Sequence, residues 1–551
     1  MALRYALAGN ETYRYSLHIG QLLRTALDDR SGNEIVGSDE RRHSYAELGR
    51  RVHRLAHVLK SLGVDSGDVV AVMDWDSHRY QECYFAIPML GAILQTVNVR
   101  LSPEQIAYTL EDTQARTLLF HADFAPLVET LAHRIPGLQR FVLLHDGVAA
   151  ETRVAVAGEY ESLLAAADDE YPFEEIDENA LATTFHTTGT TGQPKAVAFT
   201  HRQLVLHALS FAAALGTQPA GLGLSRGDVY MPMTPMFHVH AWGVPYVATM
   251  LGLKQVYPGK YEPARLLALR RAERVTFSHC VPTILQMLLD AFRPEDEAAA
   301  DWRLIVGGSI VPRALLRAAR AKGIHVFTGY GMSETCPVLT LARSLLPEGE
   351  SRDTELCSAG HAIPLVQLRV VDEAMQPLPA DGVGQGELIA RAPWLTASYT
   401  NDANATRALW RGGWLHTQDI ATVSSDGRVM IRDRLKDVIK TGGEWISSCE
   451  MEDLTMRHPD VAMASFIGVA DARWGERPVA FVVPEKDADV DLASLRMHLQ
   501  WHVDKGEVSR YALPDEVILI DALPRTSVGK IDKKRLREIY ERRSIPIRDI
   551  L

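Results

Sequence analysis

Helical and strand-like hydrophobic periods alternate along this chain from end to end. Residues 181–185 form a short apolar run of strand character, followed by a Thr/Gly-rich loop and a second apolar run ending at Phe199. Thr200 then stands where a helix N-cap belongs. Behind it, Leu204, Val205, Ala208, Phe211, Ala212 and Leu215 recur at i, i+3/i+4, the stripe of an amphipathic helix. Residues 304–306 read as a buried strand that ends in Gly307-Gly308-Ser309. Pro312 opens a helix that stops at Gly323, and 324–327 is the next strand. Such strand–helix–strand repetition predicts parallel sheets with helices on their faces.

The last stretch of the chain has its own pattern. Residues 464–469, 479–483 and 517–520 read as strands, 492–503 as a helix and 533–543 as a charged helix. The junction before them, 431–437, is short and charged, without the Pro/Ser richness of a loose tether, and predicts a hinge. The acidic-alanine patch at 295–301 predicts a surface loop.

Composition narrows the class. The chain has 551 residues, 46% hydrophobic and 23% charged, which suits several globular units of ~150 residues each and excludes a disordered or disulfide-stapled chain. The formal net charge of -12 argues against a nucleic-acid binder but leaves room for a local phosphate pocket. The five cysteines, Cys83, Cys280, Cys336, Cys357 and Cys449, include no zinc-like pair and no CxxC, which fits a reducing compartment. The first twenty residues lack the apolar core of a signal peptide, and the most apolar stretch, 85–94, falls short of the ~20 residues of a membrane span. A soluble cytoplasmic protein is expected.

Five motifs carry chemistry. The first is Thr187-Thr188-Gly189-Thr190-Thr191-Gly192-Gln193-Pro194-Lys195. Small residues let backbone N–H groups converge on an anion, the hydroxyls add donors, and Lys195 adds a mobile cation. It is not the P-loop pattern, because Lys195 lies three residues past Gly192 and is followed by Ala196. The second, Gly329-Tyr330-Gly331-Met332-Ser333-Glu334-Thr335, follows a strand at the edge where parallel sheets bind ligands. There Glu334 suits Mg²⁺, Thr335 a phosphate and Tyr330 a planar base; alone, the motif also reads as a strand-end turn with a solvated glutamate. The third pairs Asp419, an acceptor for ribose hydroxyls, with Arg434; alone it also reads as a surface salt bridge. The fourth, 440–447, places Gly442 and Gly443 before Glu444 and Trp445, so that another chain or ligand can approach the backbone. The fifth, 524–531, holds Lys530 in a loop ahead of the charged helix; alone it reads as a solvated lysine.

The order of these motifs resembles the adenylate-forming superfamily of acyl-CoA synthetases, luciferases and peptide-synthetase adenylation domains, over nearly the whole chain from Tyr45 to Leu536. The stretch RDRLKDVIKTGGEWISS at 432–448 and the run PMFHVHAWG at 235–243 are similar to medium-chain fatty acyl-CoA ligases and their methylmercaptopropionate-CoA ligase relatives. Three positions depart from the superfamily pattern: Thr188 replaces a serine, Ala196 a glycine, and Gln418 stands where glycine is common.

The resemblance implies an α/β fold. A large multi-subdomain body, 1–433, would have mainly parallel sheets and a small β-barrel-like subdomain. A small mobile α+β domain, 434–551, would carry the catalytic lysine. It implies two half-reactions: a carboxylate attacks the α-phosphorus of ATP, releasing Mg-pyrophosphate, and the thiol of CoA then displaces AMP. Thr187 to Lys195 would hold the β/γ-phosphates, Glu334 the Mg²⁺ and Thr335 the α-phosphate. Asp419 and Arg434 would hold the ribose, Tyr330 with Gly307, Gly308 and Ser309 the adenine, beside Gly329 and Gly331. Lys530 would bridge the carboxylate and the α-phosphate. Rotation about Lys436 would then bring 442–445 to a pantetheine tunnel. His238 would gate the acyl pocket, walled by Trp242, Gly243, Val244, Gly307 and Met332. His238 and His240, by alternation on a strand, could share a metal, but no carboxylate or cysteine joins them nearby. A medium-chain fatty acid is the expected substrate, with a short thioether or branched acid and then an aryl acid behind it. A non-CoA acceptor and a non-catalytic nucleotide-binding relative are the other classes. No carrier domain follows residue 551, which weakens an assembly-line role. A homodimer is what the resemblance suggests.

Overall fold

The computed structural model describes all residues except 1–8, 10, 14, 29–31, 148–151, 188–192, 220, 294–300, 443, 487, 489, 527–530 and 545–551. The acidic-alanine patch therefore lies almost wholly outside the described residues, as do Thr188, Gly189, Thr190, Thr191, Gly192, Gly443 and Lys530.

Two large sheets form the body. One has seven strands, in the order Gly158–Glu159, Arg140–Leu144, Thr117–His121, Val69–Met73, Ile93–Thr96, Leu181–His186, Ala196–Thr200, and is parallel apart from its last pair. The other has nine strands. Its centre is parallel, running Ile324–Gly331, Trp302–Gly307, Phe277–Cys280, Val229–Pro232, Lys254–Val256, Glu34–Val36, with antiparallel strands at both edges. Residues of both sheets and the helices between them share one continuous apolar core. A second core lies on the far face of the seven-stranded sheet, under the helices Pro103–Asp112 and Ala125–Arg134.

The elements form where the pattern puts them. Thr200 caps the helix His201–Gly216: its hydroxyl accepts from the Gln203 N–H at 3.2 Å while the Gln203 side chain accepts from the Thr200 N–H at 2.8 Å. The short run at 304–306 lies within the strand Trp302–Gly307, buried except at Arg303, and Pro312 is the N-cap of the helix Arg313–Ala321. Five antiparallel strands make the small β unit: Gln367–Val371, Gly386–Arg391, Trp410–Arg411, Trp414–Val423 and Val429–Arg434.

The C-terminal sheet pairs the long strands Val461–Asp471 and Gly475–Pro484 with Ile439–Thr441, Glu444–Ile446 and Glu516–Leu519. It has apolar clusters of its own on both faces, separate from the body's core. Among the described residues, no helix is long and apolar enough to cross a membrane.

Candidate active site

The candidate residues gather at the C-terminal edge of the nine-stranded sheet. Trp302–Gly307 and Ile324–Gly331 lie side by side in parallel register, so Gly307 stands opposite Gly329. After Gly331 the chain turns back sharply to the antiparallel strand Val338–Leu341. A methyl at Gly331 would overlap the carbonyl of Pro337, which is why this turn needs glycine.

This turn presents two polar groups. The Tyr330 hydroxyl donates to Asp419 Oδ2 at 2.6 Å, and Arg434 Nε pairs with Asp419 Oδ1 at 3.0 Å. Asp419 is buried, on a strand directly paired with that of Arg434, and this register is what makes the two meet. The Asp419 charge holds the Arg434 guanidinium protonated, against the cost of its burial. Two of the four acceptor positions of the carboxylate remain for a ligand.

Glu334 is buried behind this group, and Tyr399 donates to its Oε1 at 2.5 Å. Burial pushes the Glu334 carboxyl up, against the pull of the Tyr399 hydroxyl and, more weakly, of Arg434 and Lys195. The Lys195 ammonium lies 4.9 Å from the centre of the Tyr399 ring and 3.9 Å from Asp402. The phosphate-loop lysine and the metal-candidate glutamate thus share one tyrosine. A buried carboxylate with one oxygen engaged by a hydroxyl suits a hard divalent cation that takes most of its remaining oxygens from phosphates and water. Glu334 thus fits the Mg²⁺ that the resemblance implies.

Thr335 departs from expectation. It is fully buried, its hydroxyl accepts from the Met332 N–H at 3.0 Å, and its proton is committed to the Met332 and Pro337 carbonyls. It holds the turn together instead of facing a phosphate. Gly308 and Ser309 are exposed just past the strand end, and Thr187 bonds Lys195 across the base of its loop, N–H to carbonyl at 2.8 Å.

The segment after Pro235 is the largest surprise. Alternation on a strand does not occur. Val239, His240, Ala241, Trp242 and Gly243 take φ of 48°, 55°, 48°, 59° and 73°, a tight left-handed turn. This separates His238, half-buried at its start, from His240, whose ring is buried among Tyr84, Phe185 and Tyr246. Burial pushes His240 down to about 3, so its ring is neutral. The turn delivers Trp242 onto the sheet edge: a methyl at Gly307 would sit 3.3 Å from Trp242 Cη2. The indole lies 5.2 Å from the ring of His279, and Val244 beside it is buried. Met332 is half-buried, packed against the same core.

The hinge runs from the end of strand Val429–Arg434 to the start of the C-terminal sheet at Ile439, and the fourth motif lies in that sheet. Asp433 accepts from the Ser448 N–H at 2.5 Å and hydroxyl at 2.6 Å, and Arg537 reaches the Lys436 carbonyl at 3.2 Å and Asp437 at 2.8 Å. Burial lowers the Lys436 ammonium. Gly442 has φ +60° and bonds the Trp474 carbonyl at 2.9 Å, while Lys440 lies 4.9 Å from the Trp445 ring and Glu444 is exposed.

Sequence reasoning missed Tyr399, Asp402 and His279. Each comes from a strand or loop with no motif around it. Gln418 is explained: its φ is +59°, the left-handed region that glycine enters without penalty.

The long-chain-fatty-acid–CoA ligase of Thermus thermophilus is 39% identical over 97% of this chain and 94% of its own length. The medium-chain-fatty-acid–CoA ligase of Ectopseudomonas oleovorans is 34% identical over 96% of each chain. The crystal structure of ATP-bound MatB from Rhodopseudomonas palustris superposes with a TM-score of 0.82 at 25% identity, over 95% of this chain and 99% of that one. The model of the AMP-binding enzyme family matches residues 23–400 and that of the AMP-binding enzyme C-terminal domain residues 450–530. With the family model matching most of the chain and its C-terminal partner model matching the rest of the pattern, the chain belongs to the AMP-binding enzyme family and is an acyl-CoA synthetase that uses ATP, Mg²⁺ and CoA.

Proposed function

We propose that the acid is a medium-chain fatty acid and that the residues divide the two half-reactions between them as follows. Asp419, held by Tyr330 and Arg434, takes the ribose hydroxyls. Lys195 and the loop before it take the β- and γ-phosphates. Glu334 is the residue to hold Mg²⁺, which neutralises charge on the departing pyrophosphate. Lys530, outside the described residues, bridges carboxylate and α-phosphate by resemblance alone. In the second half-reaction the C-terminal domain, 434–551, turns about Lys436 and delivers the 442–445 segment to the thiol path beside His238.

One observation carries this reading: Tyr330–Asp419–Arg434 and Glu334–Tyr399–Lys195 converge on a single turn, 331–338. An ordinary surface salt bridge would leave its carboxylate in water, whereas Asp419 is buried and also accepts from the Tyr330 hydroxyl. For the acid, support comes from the apolar wall of Trp242 and Val244 and from the fatty-acid ligases among the relatives. A cytoplasmic location and a homodimer belong to the same proposal.

The test is pyrophosphate release over straight-chain acids of increasing length, a short thioether acid, a branched acid and an aryl acid, with and without CoA. CoA-dependent turnover peaking at medium chain length is expected. A peak on the aryl or thioether acid overturns the substrate, and CoA-independent formation of a non-thioester product overturns the acceptor.

A further inference from the structure

The left-handed turn from Val239 to Gly243 needs an external restraint. Each of its four non-glycine residues sits where L-residues pay about 1–2 kcal/mol. Such a conformation persists only where its surroundings over-determine it. The segment just before the turn, 235–238, is where that restraint acts.

Three side chains grip it. Asp76 Oδ1 accepts from the Met236 N–H at 2.8 Å. The Tyr84 hydroxyl donates to the Met236 carbonyl, and Thr96 Oγ1 donates to the Phe237 carbonyl at 2.9 Å. The segment's backbone also closes on itself, His238 N–H to the Pro235 carbonyl at 2.9 Å. Tyr84 and Thr96 belong to the side of the seven-stranded sheet, whereas the segment emerges from the nine-stranded sheet after Val229–Pro232.

Asp76 joins the two. Its Oδ2 accepts from the Tyr261 hydroxyl, and its own carbonyl accepts from the Gly259 N–H at 2.8 Å, both on the loop after Lys254–Val256 of the nine-stranded sheet. It is 3% exposed, and Arg100 supplies a favourable positive charge nearby. A carboxylate in that position can accept from the Met236 amide and the Tyr261 hydroxyl at once. A methyl cannot.

We infer that Asp76 is a positioning residue for the acyl and thiol path, pinning 235–238 so that the left-handed turn sets Trp242 on the sheet edge and His238 at its mouth. Asp76 touches neither nucleotide nor acid in this assignment. It acts through Met236, and the inference rests on the proposed roles of His238 and Trp242.

The experiment separates the half-reactions in full-length protein. Asp76→Ala leaves the KM for ATP within about twofold, but lowers thioester formation from a supplied acyl-adenylate by up to about 100-fold, the scale of a 1 Å misplacement. It also flattens the chain-length profile. Asp76→Asn restores both, because its Oδ1 still accepts from Met236 and its Nδ2 donates to the Tyr261 oxygen. Should Asp76→Ala fail to fold, Thr96→Val tests the same grip and is expected to shift the profile in the same direction. Trp242→Ala is measured alongside. If Trp242→Ala changes the profile and neither Asp76→Ala nor Thr96→Val does, the pinning role is overturned. If Trp242→Ala also leaves it unchanged, the acyl-path reading itself is overturned and the inference falls with it. An equal loss of ATP affinity and thioester formation in Asp76→Ala, with no rescue by Asn, assigns Asp76 to general stability and overturns the inference too.

Discussion

Asp419→Asn is the sharpest test of the nucleotide site. The native carboxylate has four acceptor positions; Tyr330 at 2.6 Å and Arg434 at 3.0 Å use two, and the other two match the paired hydroxyls of a ribose. The amide keeps one acceptor oxygen and replaces the other with an N–H₂ donor. If the oxygen stays on Arg434, the donor faces Tyr330 and the ribose meets one acceptor fewer. If it turns to the ribose, the N–H₂ confronts the Arg434 N–H. Either way one charge-assisted hydrogen bond is lost, about 1.5–3 kcal/mol. That corresponds to a rise in the dissociation constant for ATP of roughly 10- to 150-fold. Binding of ATP and AMP is measured calorimetrically, with pyrophosphate and 2′-deoxy-ATP as controls. Pyrophosphate binding stays unchanged, and the variant discriminates less between ATP and its 2′-deoxy analogue than the native enzyme does. ATP affinity within twofold of native in a folded Asp419→Asn protein would refute the assignment of this carboxylate to the ribose.

Gln418→Gly relieves a left-handed φ of +59° and gives back part of that gain as unfolded-chain entropy, so the unfolding free energy from denaturant titration rises by no more than about 1 kcal/mol; a clear fall would mean that the glutamine side chain contributes packing. Glu334→Gln keeps an oxygen for the Tyr399 hydroxyl but loses the charge, so saturation of adenylate formation requires at least about tenfold more Mg²⁺ with little change in the KM for CoA; an unaltered Mg²⁺ titration removes Glu334 from the metal. Asp76 predicts a pH effect on stability. Burial pushes its carboxyl up to about 7, against the Tyr261 hydroxyl, the Met236 amide and Arg100, with Asp74 adding repulsion and the phenols of Tyr80, Tyr84, Tyr230 and Tyr257 staying neutral around it. A raised carboxyl lends its stability at low pH and loses it as pH rises from the unfolded value, 3.8, through about 7. The native enzyme therefore loses up to about 4 kcal/mol over that window relative to Asp76→Asn. The gap between their denaturation midpoints widens toward alkaline pH, and a gap that stays flat from pH 5 to pH 8.5 contradicts the assignment.

Local sequence decided the elements of this protein. The Thr200/Gln203 capping box, the Pro312 start and the apolar runs at 304–306 and 324–327 depend on residues within a turn or two of one another, and they form as the pattern predicts. Glu334, Asp419 and Arg434 were singled out by the order of their motifs along the chain, since each motif alone also reads as a solvated glutamate or a surface salt bridge. What those residues touch was not. Tyr399 reaches Glu334 across 65 positions, Tyr330 reaches Asp419 across 89 and Asp76 reaches Met236 across 160, and no local spacing encodes such pairs. The clearest case is 239–243. Read along the chain, H-V-H at 238–240 suggests a strand with alternating histidines. Tertiary structure overrides that preference: Asp76, Tyr84 and Thr96, all on the side of the seven-stranded sheet, hold the residues that emerge from the nine-stranded sheet, and the chain returns to the sheet edge by a left-handed turn. The sequence by itself determined most of the secondary structure, the motif residues and the reaction class. Only the packing of the two sheets decided the left-handed path of 239–243, because the hydrogen bonds that hold 235–238 come from residues far away in the chain.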